Sequence, residues 1–257
     1  MSTREFAALH HTETPLLLPN AWDHASAALL AAQGFKAIGT TSLGVAAAAG
    51  LPDGEAATRD LTLSLVRRLG TGLYLLSVDA EDGFSQDPHE VAEWARELAD
   101  AGAVGINLED GLGSAELHAA KIAAVKSAVP DLFVNARTDT HWLGDGDERE
   151  TVRRLDAYQQ AGADGVFVPG LTDPARISAL LKTLDVPLNI LYSPAGPTVA
   201  HLGDLGVRRV SLGSLLYRRA LGAVLDTVAD IRDGRPSGGN TPTYDDVQAL
   251  SAQSPQP

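Results

Sequence analysis

Short apolar runs alternate with longer segments of helical period along the whole chain, the pattern of β/α units wrapped around a parallel sheet. Eight runs read as strands: Leu16–Leu18, Ala37–Thr40, Tyr74–Val78, Val104–Leu108, Phe133–Ala136, Gly165–Val168, Leu188–Leu191 and Arg209–Leu212. Between them, His24–Gln33, Pro88–Ala101, Asp147–Ala161 and Pro174–Leu184 have helical period and enough length to cross back over a sheet. One helix-to-strand joint recurs four times, in Gln33-Gly34-Phe35-Lys36-Ala37-Ile38, Ala101-Gly102-Ala103-Val104-Gly105-Ile106, Ala161-Gly162-Ala163-Asp164-Gly165-Val166 and Leu205-Gly206-Val207-Arg208-Arg209-Val210. Each ends a helix at a glycine free to take the left-handed conformation and starts a buried strand at once. Eight such units in 257 residues predict an α/β fold, a closed (β/α)8 TIM barrel. A doubly wound sheet uses similar joints, but its nucleotide-binding form needs a GxGxxG after the first strand or a GxxxxGK[ST], and neither occurs.

The barrel is expected to occupy residues 1–234, with Ser214–Ile231 as its eighth helix. From Arg235 to Pro257 the chain is rich in Pro, Gly, Ser, Thr and Gln, with little to bury, and residues 235–257 are read as a flexible or surface-wrapping tail.

Composition adds exclusions. With 44% hydrophobic and 21% charged residues, the chain suits one globular domain with a real core. It has no apolar stretch of about 18 residues, and Met1 to His11 lacks the basic flank and apolar run of a signal peptide. The expectation is a soluble cytoplasmic protein with no membrane partner. Zero cysteines rule out disulfides, thiolate metal sites and any cysteine acid, base or nucleophile. A formal charge of −13 with no basic stripe argues against nucleic acid as a partner.

In such a barrel the chemistry sits where strands end, and here those positions are acidic. Asp79-Ala80-Glu81-Asp82-Gly83, Glu109-Asp110-Gly111 and Arg137-Thr138-Asp139 follow three successive strand candidates. Strand alternation is expected to turn Asp79 and Glu81 to one face, with Glu109 adding a third carboxylate from the next strand. Such a cluster repels itself unless a hard cation neutralises it, and Mg²⁺ is the natural occupant. Asp82 and Asp110, each before a glycine, read as turn residues. Arg137 reads either as an ion-pair partner or as a clamp for a carboxylate or oxyanion. Thr40-Thr41-Ser42-Leu43-Gly44 is a small-residue loop, either ordinary or able to cradle a carboxylate through its amides and hydroxyls. Asp53 alone reads as a turn, Asn189 as a substrate contact or a core partner, Lys121 as part of an ordinary amphipathic helix, and His141 and Trp142 as loop residues.

Six segments in order carry a specific resemblance: Pro19-Asn20-Ala21-Trp22-Asp23, Thr41-Ser42-Leu43, Gly50-Leu51-Pro52-Asp53, Val78-Asp79-Ala80-Glu81-Asp82-Gly83, Asn107-Leu108-Glu109-Asp110-Gly111 and Asn135-Ala136-Arg137-Thr138-Asp139. From about Pro19 to Arg219 the chain resembles the isocitrate lyase/phosphoenolpyruvate mutase superfamily, in the manner of its carboxyphosphonoenolpyruvate phosphonomutase-like members. The resemblance implies a barrel whose C-terminal helix swaps between subunits, a homo-oligomer built as a dimer of dimers, and Mg²⁺, or in its place Mn²⁺, at the strand ends. Members make or break C–C or P–C bonds beside a 2-oxo or 2-hydroxy carboxylate through an enolate-like species. Carried over by motif, Asp79 is implied as the direct metal ligand, with Asp53, Glu81 and Glu109 holding metal-bound waters. Thr41, Ser42 and Leu43 are implied to bind the substrate carboxylate. Arg137 is implied to contact the substrate's oxygens and stabilise developing charge, which makes Arg137 and Ser42 the catalytic candidates and leaves Asn189 as a further substrate contact.

The departures narrow the reaction. Isocitrate and methylisocitrate lyases carry a Lys-Lys/Arg-Cys-Gly loop after the glutamate strand, whereas here Glu109-Asp110-Gly111 runs into Leu112-Gly113-Ser114-Ala115-Glu116. That argues against those two activities. Phosphoenolpyruvate mutases and phosphonopyruvate hydrolases have a lysine where Gly111 stands, a Lys-x-Asn element further on and a histidine after the sixth strand, where this chain has Pro169-Gly170. The expected function is a Mg²⁺-dependent lyase cleaving or forming a C–C bond in a small 2-oxo or 2-hydroxy carboxylate. The alternatives are P–C chemistry on phosphonopyruvate or carboxyphosphonoenolpyruvate, and a catalytically inactive carboxylate-binding barrel.

Overall fold

All eight expected strands form, and a ninth short one explains how the sheet closes. In the computed structural model, which describes residues 2–236 and 238–251, the strands are β1 (Leu16–Leu18), β2 (Asn20–Ala21), β3 (Ala37–Thr40), β4 (Leu75–Asp79), β5 (Ala103–Glu109), β6 (Phe133–Arg137), β7 (Gly165–Val168), β8 (Leu188–Leu191) and β9 (Arg209–Ser211). Every pairing is parallel, in the order β1-β9-β8-β7-β6-β5-β4-β3-β2. The two ends of that order are neighbours in sequence. Pro19 has no N–H to give a ladder, so it splits one strand: Leu16–Leu18 pair with β9, Asn20–Ala21 pair with β3, and the Pro19 carbonyl still accepts from Gly39 at 2.8 Å. Counted as one strand, β1 and β2 close a (β/α)8 barrel.

Eleven helices accompany the sheet among the described residues: α1 (Thr3–Ala8), α2 (His24–Ala32), α3 (Ser42–Ala48), α4 (Arg59–Leu69), α5 (Pro88–Asp100), α6 (Ala115–Ala128), α7 (Glu148–Gln160), α8 (Pro174–Leu181), α9 (Val199–Leu205), α10 (Leu215–Arg232) and α11 (Tyr244–Ser251). The starts are set by capping side chains: Asp23, Asp87, Ser114, Asp147, Asp173 and Thr198 each accept a backbone N–H of the first turn. The four joint glycines, Gly34, Gly102, Gly162 and Gly206, have φ between 87° and 106°.

Alternation along the strands sorts the side chains. Leu76, Val78, Ile106, Leu108, Val134, Ala136, Val166, Ile190 and Val210 join the large cluster between sheet and helices. The opposite face fills the barrel in layers. At the bottom, Leu18, Ala37, Leu75, Val104 and Phe133 pack with Phe6 of α1 into a small apolar cluster. Above it lie Ser77, Asn107, Asn135 and Arg209, all buried and polar. The mouth is charged.

The final helices differ from the rest. α10 falls where the eighth barrel helix was expected, yet none of its residues is buried, and Leu221, Val224, Leu225, Val228 and Ile231 stand exposed. In the expected tail, α11 lies against α2, with the Leu250 carbonyl 3.3 Å from His24 Nε2. Residue 237 and residues 252–257 of that tail lie outside the described residues.

Candidate active site

Strand ends set the geometry of the mouth. Asp79 closes β4, where its own N–H donates to Thr40 Oγ1 at 2.8 Å and its Oδ2 accepts from the Ser42 amide at 3.0 Å. Ser42 is the first residue of α3, so this amide belongs to a helix N-terminus that has no side-chain cap, and a carboxylate takes that place. Glu109 and Arg137 close β5 and β6 and are cross-strand partners. Arg137 Nη1 lies 2.7 Å from Glu109 Oε2, and its Nε donates to Asp139 Oδ1 at 2.7 Å, with the Phe167 ring 5.9 Å from the guanidinium carbon.

Glu81 departs from the alternation. The ladder runs on past β4, Ala80 N–H donating to the Asn107 carbonyl and Glu109 N–H to that of Glu81, but Glu81 itself has φ 46°. That left-handed turn swings the side chain aside, buried, to accept the Thr58 hydroxyl instead of pointing along the Asp79 side chain. It still lies close enough to feel the charges of Asp79 and Asp53.

A cavity of about 100 Å³ opens at the mouth. Six of the expected residues line it: Thr41, Ser42, Leu43, Asp53, Asp79 and Arg137. Glu109 instead lines an adjoining cavity of about 290 Å³ with Asp82, Asp110 and Lys121. Asn189 lines neither: its Nδ2 donates to Ser211 Oγ at 2.9 Å, the core-partner role of its two readings. Lys121 is buried rather than part of a solvated helix face, with Nζ 2.8 Å from the Asp82 carbonyl. Asp82 does make its turn, accepting from Phe84 N–H, but Asp110 is more than a turn residue. Its buried carboxylate accepts from Leu112 and Asp139 amides, Arg154 Nη1 and the Tyr158 hydroxyl. Asn20, Asn107, Phe167 and Ser211 also line the mouth cavity without having been read as site residues from sequence, and so does Trp142, read there only as a loop residue. For Asn107 a signal existed, since it lies two residues before Glu109 and must share its face.

The mouth is electrostatically strained. Burial, and then the charges of neighbouring carboxylates including Asp79, push Asp53, Glu81 and Glu109 above the ordinary carboxylate range, Glu109 to about 8 despite the Arg137 guanidinium beside it. Burial also raises Asp139, against Arg137. Burial opposes charge on Arg137, yet Glu109, Asp139 and Asp79 hold it above its usual value. Among the described residues no group of three or more His, Cys, Asp or Glu side chains is disposed to hold a metal ion by itself. An all-protein ligand shell is therefore not formed. The donor set fits a hard divalent cation held largely through water, because its atoms are carboxylate oxygens and three of the acids crowd the charge of a fourth, Asp79.

A closed parallel barrel with a charged, concave mouth built from strand ends is the architecture of a β/α-barrel enzyme. The chain matches the family model of phosphoenolpyruvate phosphomutase over residues 6–232. It belongs to the isocitrate lyase/phosphoenolpyruvate mutase superfamily and is an enzyme of that lyase and mutase class. An uncharacterised protein of Mycobacterium tuberculosis (strain ATCC 25618 / H37Rv) is 44% identical to it over 251 residues, 95% of each chain. The 2-methylisocitrate lyase of Escherichia coli (strain K12) is 31% identical over 231 residues, 83% of this chain and 77% of that one. A solved structure from Burkholderia cenocepacia J2315 superposes with a TM-score of 0.88 at 35% identity, covering 99% of this chain and 98% of the other.

Proposed function

We propose that the protein is a Mg²⁺-dependent lyase that cleaves or forms a C–C bond in a small 2-oxo or 2-hydroxy carboxylate through an enolate-like species. The observation that carries this reading is the convergence of Asp79, Asp53, the Ser42 helix terminus and Arg137 on one cavity sized for a few heavy atoms. Asp79 is the direct metal ligand in this reading, with Asp53, Glu81 and Glu109 holding metal-bound water; Mn²⁺ is the natural substitute. Bound there, the cation supplies a Lewis acid that polarises a substrate oxygen.

The chain's own residues do the rest. Thr41, Ser42 and Leu43 bring the start of α3 to the cavity, where backbone amides and a hydroxyl take the substrate carboxylate. Arg137 is fixed by Glu109 and Asp139 through Nη1 and Nε, while its Nη2 makes no hydrogen bond within the described residues and is left for a substrate oxygen. Phe167 under the guanidinium and Trp142 at the cavity wall limit water on that side. Asn189, bonded to Ser211, serves the substrate only through that serine.

The assembly belongs to the same reading: a homo-oligomer, a dimer of dimers, in which the uncovered apolar face of α10 swaps onto a second copy. In this reading the enzyme acts in the cytoplasm on a dissolved carboxylate; among the described residues no helix is long and apolar enough to cross a membrane.

The test is thermal stabilisation of metal-stripped protein by 2-oxo, 2-hydroxy and phosphono acids, with and without Mg²⁺, followed by NMR for product. Mg²⁺-dependent conversion of a carboxylate, abolished by Asp79→Ala, is expected. Full turnover or full ligand binding in Asp79→Ala overturns the reading. ³¹P shift changes on a phosphono acid point to P–C chemistry instead, and binding without conversion to a carboxylate-binding barrel.

A further inference from the structure

Beneath the acidic mouth lies a cation that the proposed chemistry does not use. Arg209 projects from β9 into the barrel, is 1% exposed, and bonds only to neutral oxygens. Its Nε donates to Ser211 Oγ at 3.2 Å, and its Nη2 donates to Asn107 Oδ1 at 3.1 Å and, at 3.5 Å, to Ser77 Oγ, while its enclosed Nη1 has no partner. The Asp79 carboxylate's charge reaches it, but a guanidinium whose hydrogen-bond partners are all neutral is still costly to bury, and an apolar side chain would fill a barrel interior at less expense in solvation. Its retention calls for a use.

The use is legible in Asn107. A guanidinium has donors only, so the side-chain atom that receives Arg209 Nη2 is the Asn107 oxygen. The same Oδ1 also accepts Asn135 Nδ2 at 2.8 Å. Both bonds hold the oxygen of Asn107 toward the barrel interior. The other branch, Nδ2, makes no hydrogen bond within the described residues, and Asn107 lines the mouth cavity beside Asp79, Arg137 and Ser211. Arg209 therefore holds an N–H₂ donor in place and adds positive potential below it, opposite the acids of the rim.

We propose that Asn107 is a substrate-contacting residue, with Arg209 as its positioning residue: the locked amide presents Nδ2 to an anionic oxygen of a small carboxylate at the cavity floor. This deepens the reading of the cavity as a carboxylate site and rests on it. It gives the floor an electrostatic sense opposite to the rim, so a ligand with separated anionic and metal-binding oxygens can enter in one orientation only.

The experiment measures oxalate binding to the full-length protein in Mg²⁺ by calorimetry, alongside the unfolding midpoint and a metal-free crystal structure of each variant. Asn107→Asp is the decisive change, because it keeps the shape, gains an ion pair with Arg209 and turns the donor into an acceptor. Its midpoint is expected to hold or rise while oxalate affinity falls about 100-fold, and Asn107→Ala is expected to lose about tenfold. A purely structural Asn107 predicts no such split between stability and binding. In Arg209→Met the Asn107 side chain is expected to rotate or lose a single position, with oxalate affinity down about tenfold. Oxalate binding by Asn107→Asp within about twofold of the native protein overturns the donor role. An Asn107 side chain unmoved in Arg209→Met overturns the lock, and if that variant does not fold, the Asn107→Asp result alone decides the donor role. Failure of the native protein to bind oxalate with Mg²⁺ sinks the carboxylate reading itself and takes the floor donor with it, whereas native binding that survives in Asn107→Asp sinks the floor alone.

Discussion

The two ends of this barrel solve opposite problems. At the bottom, α1 acts as a plug: the Ser2 and Glu5 side chains cap it reciprocally, Phe6 meets Phe133 edge-on with ring centroids 5.4 Å apart, and His10 stacks on Phe133 at 4.3 Å. At the mouth, four carboxylates crowd one another and Arg137, and no apolar plug covers them. One end is finished by packing and needs nothing further. The other is left electrostatically unbalanced, the condition in which functional sites hold their titratable groups. The two ends also suppress charge of opposite sign: burial and Arg209 push His10 at the bottom down to about 3, while at the mouth burial and nearby acids raise several carboxyls, Glu109 to about 8.

The largest effect that separates the ends is expected from Phe6→Ala. Emptying the plug should cost about 3–5 kcal/mol in urea unfolding, because Phe6 is fully buried against Phe133 and beside Gly105. Mg²⁺-dependent ligand binding measured well below the new unfolding midpoint should be unchanged. Lost binding in the folded variant would show that the ends are not independent.

Opposed pH limbs come next, each on the order of 1–3 kcal/mol. His10 must shed a proton to be buried, so its contribution is full above its unfolded value of 6.5 and is lost as pH falls toward 3. Glu109 takes up a proton on folding. Its contribution is full below 4.5 and is lost as pH rises toward 8. Metal-free protein is therefore expected to be most stable between the two limbs. His10→Leu should flatten the acid limb and Glu109→Gln the alkaline one, read from urea midpoints across pH. Mg²⁺ should oppose the alkaline limb alone, and a metal effect on the acid limb would break the comparison.

The barrel wall was more legible in the sequence than the α1 plug, which nothing in it announced, or the fine geometry of the mouth. Strands and joints followed from local rules, because a glycine such as Gly102 or Gly206 after a helix and an apolar run such as Val104–Leu108 carry their structure within a few residues. The positions of Asp79 and Arg137 followed from strand ends for the same reason. What sequence did not disclose depends on one φ angle or on distant partners. Glu81 was expected beside Asp79 by alternation, but its left-handed backbone sends it to Thr58, 23 residues away. Pro19 directly follows the first strand candidate, Leu16–Leu18, and nothing local to it shows that it sits at the seam that closes the barrel. Arg209 is a charge inside a strand, a visible anomaly in Arg208-Arg209-Val210, but its partner Asn107 lies 102 residues earlier.

Asp110 supplies the smallest test and the one that locates the stiffness of the mouth. Its carboxylate, read from sequence as a turn, joins the mouth to the outer helix layer: the Tyr158 hydroxyl and Arg154 on α7 donate to Oδ2 at 2.7 and 3.0 Å, and the Leu112 and Asp139 amides donate to Oδ1. Burial opposes its charge, but the Tyr158 hydroxyl and the two amides hold it below the ordinary range. Through Asp139 the same bonds steady Arg137. Tyr158→Phe removes one of four donors and leaves Arg154 in place, so it should cost only about 1 kcal/mol with Mg²⁺-dependent ligand binding close to native. If that variant instead loses binding more than stability, the mouth depends for its geometry on the helix layer as much as on the strand ends, and the contrast between a packed bottom and a self-contained charged mouth must be redrawn.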